Sequence, residues 1–322
     1  MKYLGFFLYI LLLLNIPVQA EINAPHSRHG CEFHELANLH LRNEGGYLLV
    51  PITIHGYPIN MVVDTGSEGS LISAHIVKQL HLPVDQLQKT VMNGPRGGQR
   101  LVKNVIIDKM KLDRLTIGPL TIPVGDLPSY PNVIPAVGGL IGGDILSEFD
   151  LEFNLRENNL KLWQVNTDSM LCRAPPFWDK EKQVIDIKPY GHRVIVMAEV
   201  NKTPIRALFD SGARSCILSL DSALRIGITL DDLKRSPGGI SSGVDMQETI
   251  YHWHRFKSFR LGNEIQLMPT LTVAPLHDTV DMLIGSDWFS NHHVWISYQR
   301  EKIYFQKNNL KQKNNQMMNK RL

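Results

Sequence analysis

Cysteine is scarce in this chain, with three among 322 residues, at Cys31, Cys172 and Cys216. None of them carries a local nucleophile signature, which argues against cysteine catalysis. In an oxidising compartment Cys31 and Cys172 can pair, tying the N-terminal segment to the middle of the chain. Cys216 lies just ahead of an apolar run and reads as a buried free thiol. Long apolar runs are also missing, with one exception. Leu4 to Leu14 is unbroken by charge, but it falls short of the roughly 20 residues that a membrane span needs. Lys2 precedes it and Val18-Gln19-Ala20 follows it, so residues 1–20 read as a secretory signal cleaved after Ala20. No cysteine directly follows that cleavage point, which argues against a lipid-anchored product. The product is expected to be exported, periplasmic or secreted, with no stable membrane span once the signal is gone.

Net charge is nearly absent as well. The formal +3 includes Lys2 of the signal and Lys307, Lys311, Lys313, Lys320 and Arg321 of a C-terminal stretch without acids. Setting those six cations aside leaves −3 on the body of the chain. There is no basis for a nucleic-acid partner. Residues 307–322 are low in apolar side chains and read as a disordered basic tail.

What the chain does contain is a repeated acidic loop. Met61-Val62-Val63-Asp64-Thr65-Gly66-Ser67 delivers a carboxylate from an apolar, β-branched run onto a small polar turn. The pattern returns 146 residues later as Ala207-Leu208-Phe209-Asp210-Ser211-Gly212-Ala213. The register holds upstream without a gap, with Tyr47 falling on Arg193 and Pro58-Ile59 on Pro204-Ile205. A second landmark repeats at a spacing of 143, Leu140-Ile141-Gly142-Gly143-Asp144 and Leu283-Ile284-Gly285-Ser286-Asp287. The chain is an internal duplication with one acidic loop per half.

Apolar-apolar-Asp-Thr/Ser-Gly, followed downstream by apolar-Ile-Gly-x-Asp, resembles the retropepsin and pepsin group of aspartic proteases. The loop Gly66-Ser67-Glu68-Gly69-Ser70-Leu71-Ile72 is nearest the bacterial retropepsin-like branch. The resemblance covers roughly residues 45–165 and 183–306. It implies an all-β, bilobal fold of two retropepsin-like β-barrel lobes related by a pseudo-twofold axis. The expected organisation is signal 1–20, N-terminal segment 21–44, lobe one 45–165, linker 166–182, lobe two 183–306 and tail 307–322. It further implies a monomer, an internal pseudo-dimer, that takes peptide or protein substrates and needs no cofactor.

In such a family the two motif carboxylates, Asp64 and Asp210, meet between the lobes. Two carboxylates about 3 Å apart cannot both ionise cheaply, so the pair holds one shared proton. One Asp then acts as base and the other as acid toward a trapped water, with no covalent intermediate. Thr65 and Ser211 are implied to hydrogen-bond across to the opposite loop, with Gly66, Ser67 and Gly212 supporting the turns. Ser67 is expected to give a hydroxyl to Asp64 that Ala213 cannot give to Asp210, which places the proton on Asp210. A protein that kept this fold and lost turnover, as a peptide-binding or scaffold protein, is the alternative; the intact motif in both halves argues against it.

Other residues receive plainer readings. Glycine-rich tips at Gly94–Gly98 and Gly238–Gly243 lie at matched offsets and suggest two flaps, with Gly97, Gly98, Gly239 and Ile240 over the substrate. Neither tip carries tyrosine. Glu68 and Arg214 are expected to face solvent, and Asp144 and Asp287 to cap short helices. His252-x-His254 and His292-His293 lack a companion set at metal spacing, so no metal is expected. The segment around Phe33-His34-Glu35-Leu36-Ala37-Asn38-Leu39-His40 reads as a leader or a short helix.

Overall fold

Each half begins with a hairpin whose turn chemistry is explicit. Tyr47–Ile54 pairs with Tyr57–Val63 around His55 and Gly56, and Arg193–Val200 pairs with Thr203–Phe209 around Asn201 and Lys202. All four turn residues have positive φ, the condition for a two-residue turn that follows the strand twist. The first strands of the two hairpins bury their residues in the same order, position by position. The duplication is therefore one of packing as well as of letters. The computed structural model describes residues 26–28, 31–93, 99–127, 131–166, 178, 181–242, 248–276 and 278–308.

The second strand of each hairpin ends in the motif Asp, and the Ile-Gly landmark is what holds it. Val137–Ile141 runs parallel to Tyr57–Val63, with Ile141 beside Val63, and antiparallel to Leu71–Ile72. Met282–Ile284 sits in the same way between Thr203–Phe209 and Ile217–Ser219. The Asp64 N–H donates to the Ile141 carbonyl and the Asp210 N–H to the Ile284 carbonyl, both at 3.0 Å. The acidic loop thus straddles the end of a buried strand. Glycine is required there: a Cβ on Gly142 would collide with the Gly69 backbone, and one on Gly285 with the Ser215 carbonyl.

The halves are joined by one antiparallel sheet. Its order is His26–Arg28, Cys31–His40, Asn159–Asn166, Asp150–Asn154, His292–Ser297, Lys302–Lys307 and Gln183–Asp186. The seam between the copies is the pairing of Asp150–Asn154 with His292–Ser297. Alternation gives this sheet two faces. Leu151, Phe153, Val294 and Ile296 enter the main core. Trp163 and Trp295 stack on the other face, 5.5 Å apart, with Phe33, Trp178 and Tyr304. Buried carboxylates close that face: Glu152 accepts from Trp163 Nε1 at 3.0 Å and pairs with His293 at 2.8 Å, and Asp150 accepts from Trp295 Nε1 at 2.8 Å.

The leader-or-helix reading of the N-terminal segment is corrected here, because Cys31–His40 is a ten-residue strand along Asn159–Asn166. The reason is a bulge. Ala37 opposes Leu162 and Glu35 opposes Trp163, so Leu36 is the extra residue. The bulge shifts the two-residue alternation by one, and Phe33, Leu36, Ala37 and Leu39 become buried at spacings that look helical.

Candidate active site

The two acidic loops meet where the pseudo-twofold places them, and they interlock through backbone and hydroxyl groups. The Thr65 hydroxyl donates to the Phe209 carbonyl at 2.7 Å and accepts the Ser211 N–H at 3.1 Å. The Ser211 hydroxyl donates to the Val63 carbonyl at 2.7 Å and accepts the Thr65 N–H at 3.0 Å. Both side chains are fully buried, so every bond of this exchange is shielded from water. Each carboxylate is also held within its own turn. Asp64 Oδ1 accepts from the N–H groups of Gly66 and Ser67, both at 3.0 Å. Asp210 Oδ1 accepts from Gly212 at 3.0 Å and Ala213 at 2.9 Å.

The glycines of the two motifs bring the acids together. A Cβ on Gly66 would lie 2.6 Å from Asp210 Oδ1, and one on Gly212 would lie 2.6 Å from Asp64 Oδ2. Each carboxylate therefore rests on the backbone of the other copy's turn, and the two hydrogen-bond to each other. Burial first, then the charge of Asp210, hold the Asp64 carboxyl well above the ordinary carboxylate range. Burial also raises Asp210, but the Ala213 and Gly212 N–H groups, the hydrogen bond from Asp64 and the Arg193 cation counter it. Two carboxyls this close share one proton, and the Arg193 cation bears on the Asp210 side of the pair.

The expectation that Ser67 gives its hydroxyl to Asp64 is corrected by its geometry. Its hydroxyl donates to the Gly69 carbonyl at 2.8 Å and does not reach Asp64; only its N–H does, as the Ala213 N–H does for Asp210. The capping expectation for Asp144 and Asp287 is also corrected. The N-cap positions are Gly142 and Gly285, without a side-chain cap bond. Asp144 Oδ1 instead takes the Ser70 N–H at 2.8 Å and the Ser70 hydroxyl at 2.6 Å. Asp287 Oδ1 takes the Cys216 N–H at 2.9 Å and its thiol at 3.1 Å. Both acids anchor the far end of an acidic loop.

Glu68 and Arg214 are exposed, as expected, and each also meets the opposite half. Glu68 accepts the His192 N–H at 3.0 Å, in the turn before Arg193–Val200. Arg214 packs against Gly46 and lies over the Tyr47 ring at 5.6 Å, in the equivalent turn of the first half. Arg193 was not singled out by sequence. It donates from Nε to the Gly66 carbonyl at 3.1 Å and clasps Asp278 with both terminal nitrogens, at 3.1 and 2.5 Å. Its signal was present in the repeat alignment, where a guanidinium replaces the aromatic ring of Tyr47.

Of the flap residues, Gly97 and Gly98 lie outside the described residues, although Val84–Asn93 and Gln99–Ile107 pair as a hairpin up to Asn93 and Gln99. Gly239 and Ile240 lie on Gly238–Ser242, paired with Glu248–Arg255, and Ile240 is exposed. Tyr251, opposite Gly239, brings an aromatic ring into this hairpin below its tip. His292 pairs with Glu264 at 3.0 Å, His293 with Glu152, and His254 meets Ser236 at 3.1 Å. Cys216 is buried and free, whereas a Cys31–Cys172 pair falls outside the described residues.

The aspartyl protease family model matches residues 50–145 and again 196–288, one match around each motif Asp. The chain belongs to the aspartyl protease family. Among curated proteins, this aspartyl protease is similar to the DNA damage-inducible protein 1 of Phaeosphaeria nodorum, 28% identical over 116 residues. That stretch is 36% of this chain and 25% of the relative, so the similarity spans about a quarter of the relative's length.

Around the dyad of this aspartyl protease, the Asp-bearing strands turn one apolar side chain each away from the main core. Val62 joins Leu49, Leu71, Val137 and Leu140, with Tyr47 and Met92 packed on them. Leu208 joins Ile195 and Val280, with Leu283. These two clusters are copies of each other by register, and each includes the residue two places before a motif Asp.

Proposed function

We propose that the protein is an exported aspartic endopeptidase that cuts internal peptide bonds with a water activated between Asp64 and Asp210. The observation that carries this reading is the seating of each carboxyl on the other turn's glycine, which leaves the two acids half-buried and close enough to share one proton. Asp210, ionised, takes a proton as the water oxygen attacks the scissile carbonyl carbon. Asp64 gives its proton to the carbonyl oxygen. When the tetrahedral species collapses, the proton held by Asp210 passes to the leaving nitrogen and the hydroxyl proton returns to Asp64. No covalent enzyme intermediate is required.

The apolar clusters beside Val62 and Leu208 support a preference for apolar residues on both sides of the cut bond. The secretory-type sequence at residues 1–20 supports action outside the cytoplasm. Digestion of a diverse peptide library at several pH values, with and without a transition-state-analogue inhibitor of aspartic proteases, tests the reading. Internal cleavage should appear and be inhibited. Asp64→Asn and Asp210→Asn should each leave less than about 1% of it, since a lone carboxyl cannot be acid and base at once. Peptide binding without cleavage by the wild-type chain would replace this reading with that of a non-catalytic peptide-binding protein.

A further inference from the structure

The two acidic loops are near copies, yet their surroundings differ: the Arg193 cation bears on the Asp210 side of the pair. The turns themselves do not supply the difference: each Asp accepts two backbone N–H bonds of nearly equal length, and the Ser67 hydroxyl is spent on Gly69. The difference lies at the start of each hairpin. In the register of the duplication Tyr47 stands in the first half where Arg193 stands in the second, and tyrosine carries no charge at neutral pH.

Arg193 is held from two sides. Nε donates to the Gly66 carbonyl, on the loop that carries Asp64, and the terminal nitrogens fork onto Asp278 in its own lobe. Only 11% of its side chain is exposed, so the cation is little screened and its planar fork has one geometry. Gly66 is also the residue whose Cα rests on the Asp210 carboxyl. A single glycine therefore separates the guanidinium from that acid.

We propose that Arg193 is a positioning residue that decides which carboxyl of the dyad holds the shared proton. It fixes the Asp64 loop through the Gly66 carbonyl and sets its cation on the Asp210 side of the pair. The charged and titratable groups around this arrangement include Glu68 and His192 at the turn that leads into Arg193, and Arg214 on the loop of Asp210. Asp64 faces Asp210 from the other loop, Asp278 stands behind Arg193, and Tyr298 lies in the field of Asp64. Burial, then the Asp64 charge, raise the Tyr298 hydroxyl, so it stays neutral through the working range. Burial pushes Asp278 up, but the Arg193 fork holds its carboxyl below the ordinary value. Arg193 is the cation of the set that is held against the Gly66 carbonyl.

The inference rests on the acid–base reading of the dyad, so its test reads the carboxyls directly. Carbon-13 carboxyl NMR titrations of the full chain, with the dyad signals assigned by loss in Asp64→Asn and Asp210→Asn, follow each acid whether or not peptide is cut. In the wild type Asp210 should ionise first. In Arg193→Met the lower apparent pKa of the pair should rise by about one pH unit, because an ionised Asp210 loses its cation. Arg193→Lys keeps the charge and loses the fork, and should restore most of that shift. Asp278→Asn removes the compensating anion and should move the lower value down. Superimposable wild-type and Arg193→Met titrations would overturn the proposal. Should Arg193→Met fail to fold, an unchanged or raised lower value in Asp278→Asn would overturn it. Shifted titrations in a chain that cuts no peptide would sink the endopeptidase reading alone; cleavage with unshifted titrations would sink this inference alone.

Discussion

Replacing Thr65 by Val exchanges one hydroxyl for a methyl group of the same shape and tests the interlock between the lobes. The Thr65 side chain is fully buried and serves two backbone groups of the other half, the Phe209 carbonyl and the Ser211 N–H. No water reaches these groups in the folded state, so both are left unpaired in the variant. At roughly 1–3 kcal/mol for each stranded buried group, the expected destabilisation is about 3 kcal/mol. Ser211→Ala strands the Val63 carbonyl and the Thr65 N–H in the same way and should cost a similar amount. The double variant should lose less than the sum, because once the first hydroxyl is gone the loops part and the second has less to hold. Urea unfolding of the four proteins measures the cycle, and kcat/KM on one peptide should fall together with kcat as the carboxyls lose their common plane. A loss below about 1 kcal/mol for Thr65→Val, with kcat unchanged, would refute the claim that these bonds align the acids.

Ser67→Ala should leave the acid limb of kcat/KM against pH where it is in the wild type, because the hydroxyl binds Gly69; a move of about half a pH unit toward neutral would return that hydroxyl to Asp64. Asp64→Asn addresses stability. A carboxyl raised above its ordinary value of 3.8 contributes stability that is fully present below that value and is lost as pH rises through the folded one. Asn has no such loss, so the melting temperature of the variant relative to wild type should climb as pH rises above that ordinary value, and a flat difference in calorimetric scans would contradict a raised Asp64 carboxyl.

The parts legible in the sequence were those that repeat. Asp64-Thr65-Gly66 and Asp210-Ser211-Gly212 could be paired by letter, and so could Ile141-Gly142 and Ile284-Gly285. From these the bilobal all-β fold followed. What could not be read depended on contacts between the copies. The Glu68 partner is the turn at His192, 124 residues away, and no local pattern announces it. Asp144 looks like a cap because it opens a short helix, yet its carboxylate turns back across 74 residues to Ser70. Cys31–His40 was misread for a local reason, since a bulge at Leu36 gives a strand the apolar spacing of a helix. The partner of the Ser67 hydroxyl was missed because it was assumed to point at the nearest acid, when a carbonyl two residues on was the better acceptor.

The seam at Asp150–Asn154 and His292–Ser297 makes the two copies one molecule, and so frees equivalent positions to differ. In an assembly of two identical half-chains, both copies of position 68 or 214 would bear the same charge, and both copies of position 47 or 193 the same side chain. Two first halves would bring tyrosine to both sides of the dyad and two second halves would bring arginine to both. Either symmetric pair would leave its acids equivalent on average, with the proton exchanging between equal homes. Joined in one chain, the halves can keep a standing acid and a standing base before any peptide arrives. A substrate is directional, running from amino to carboxyl end, and an enzyme with a fixed acid side can favour one orientation of the same peptide over its reverse.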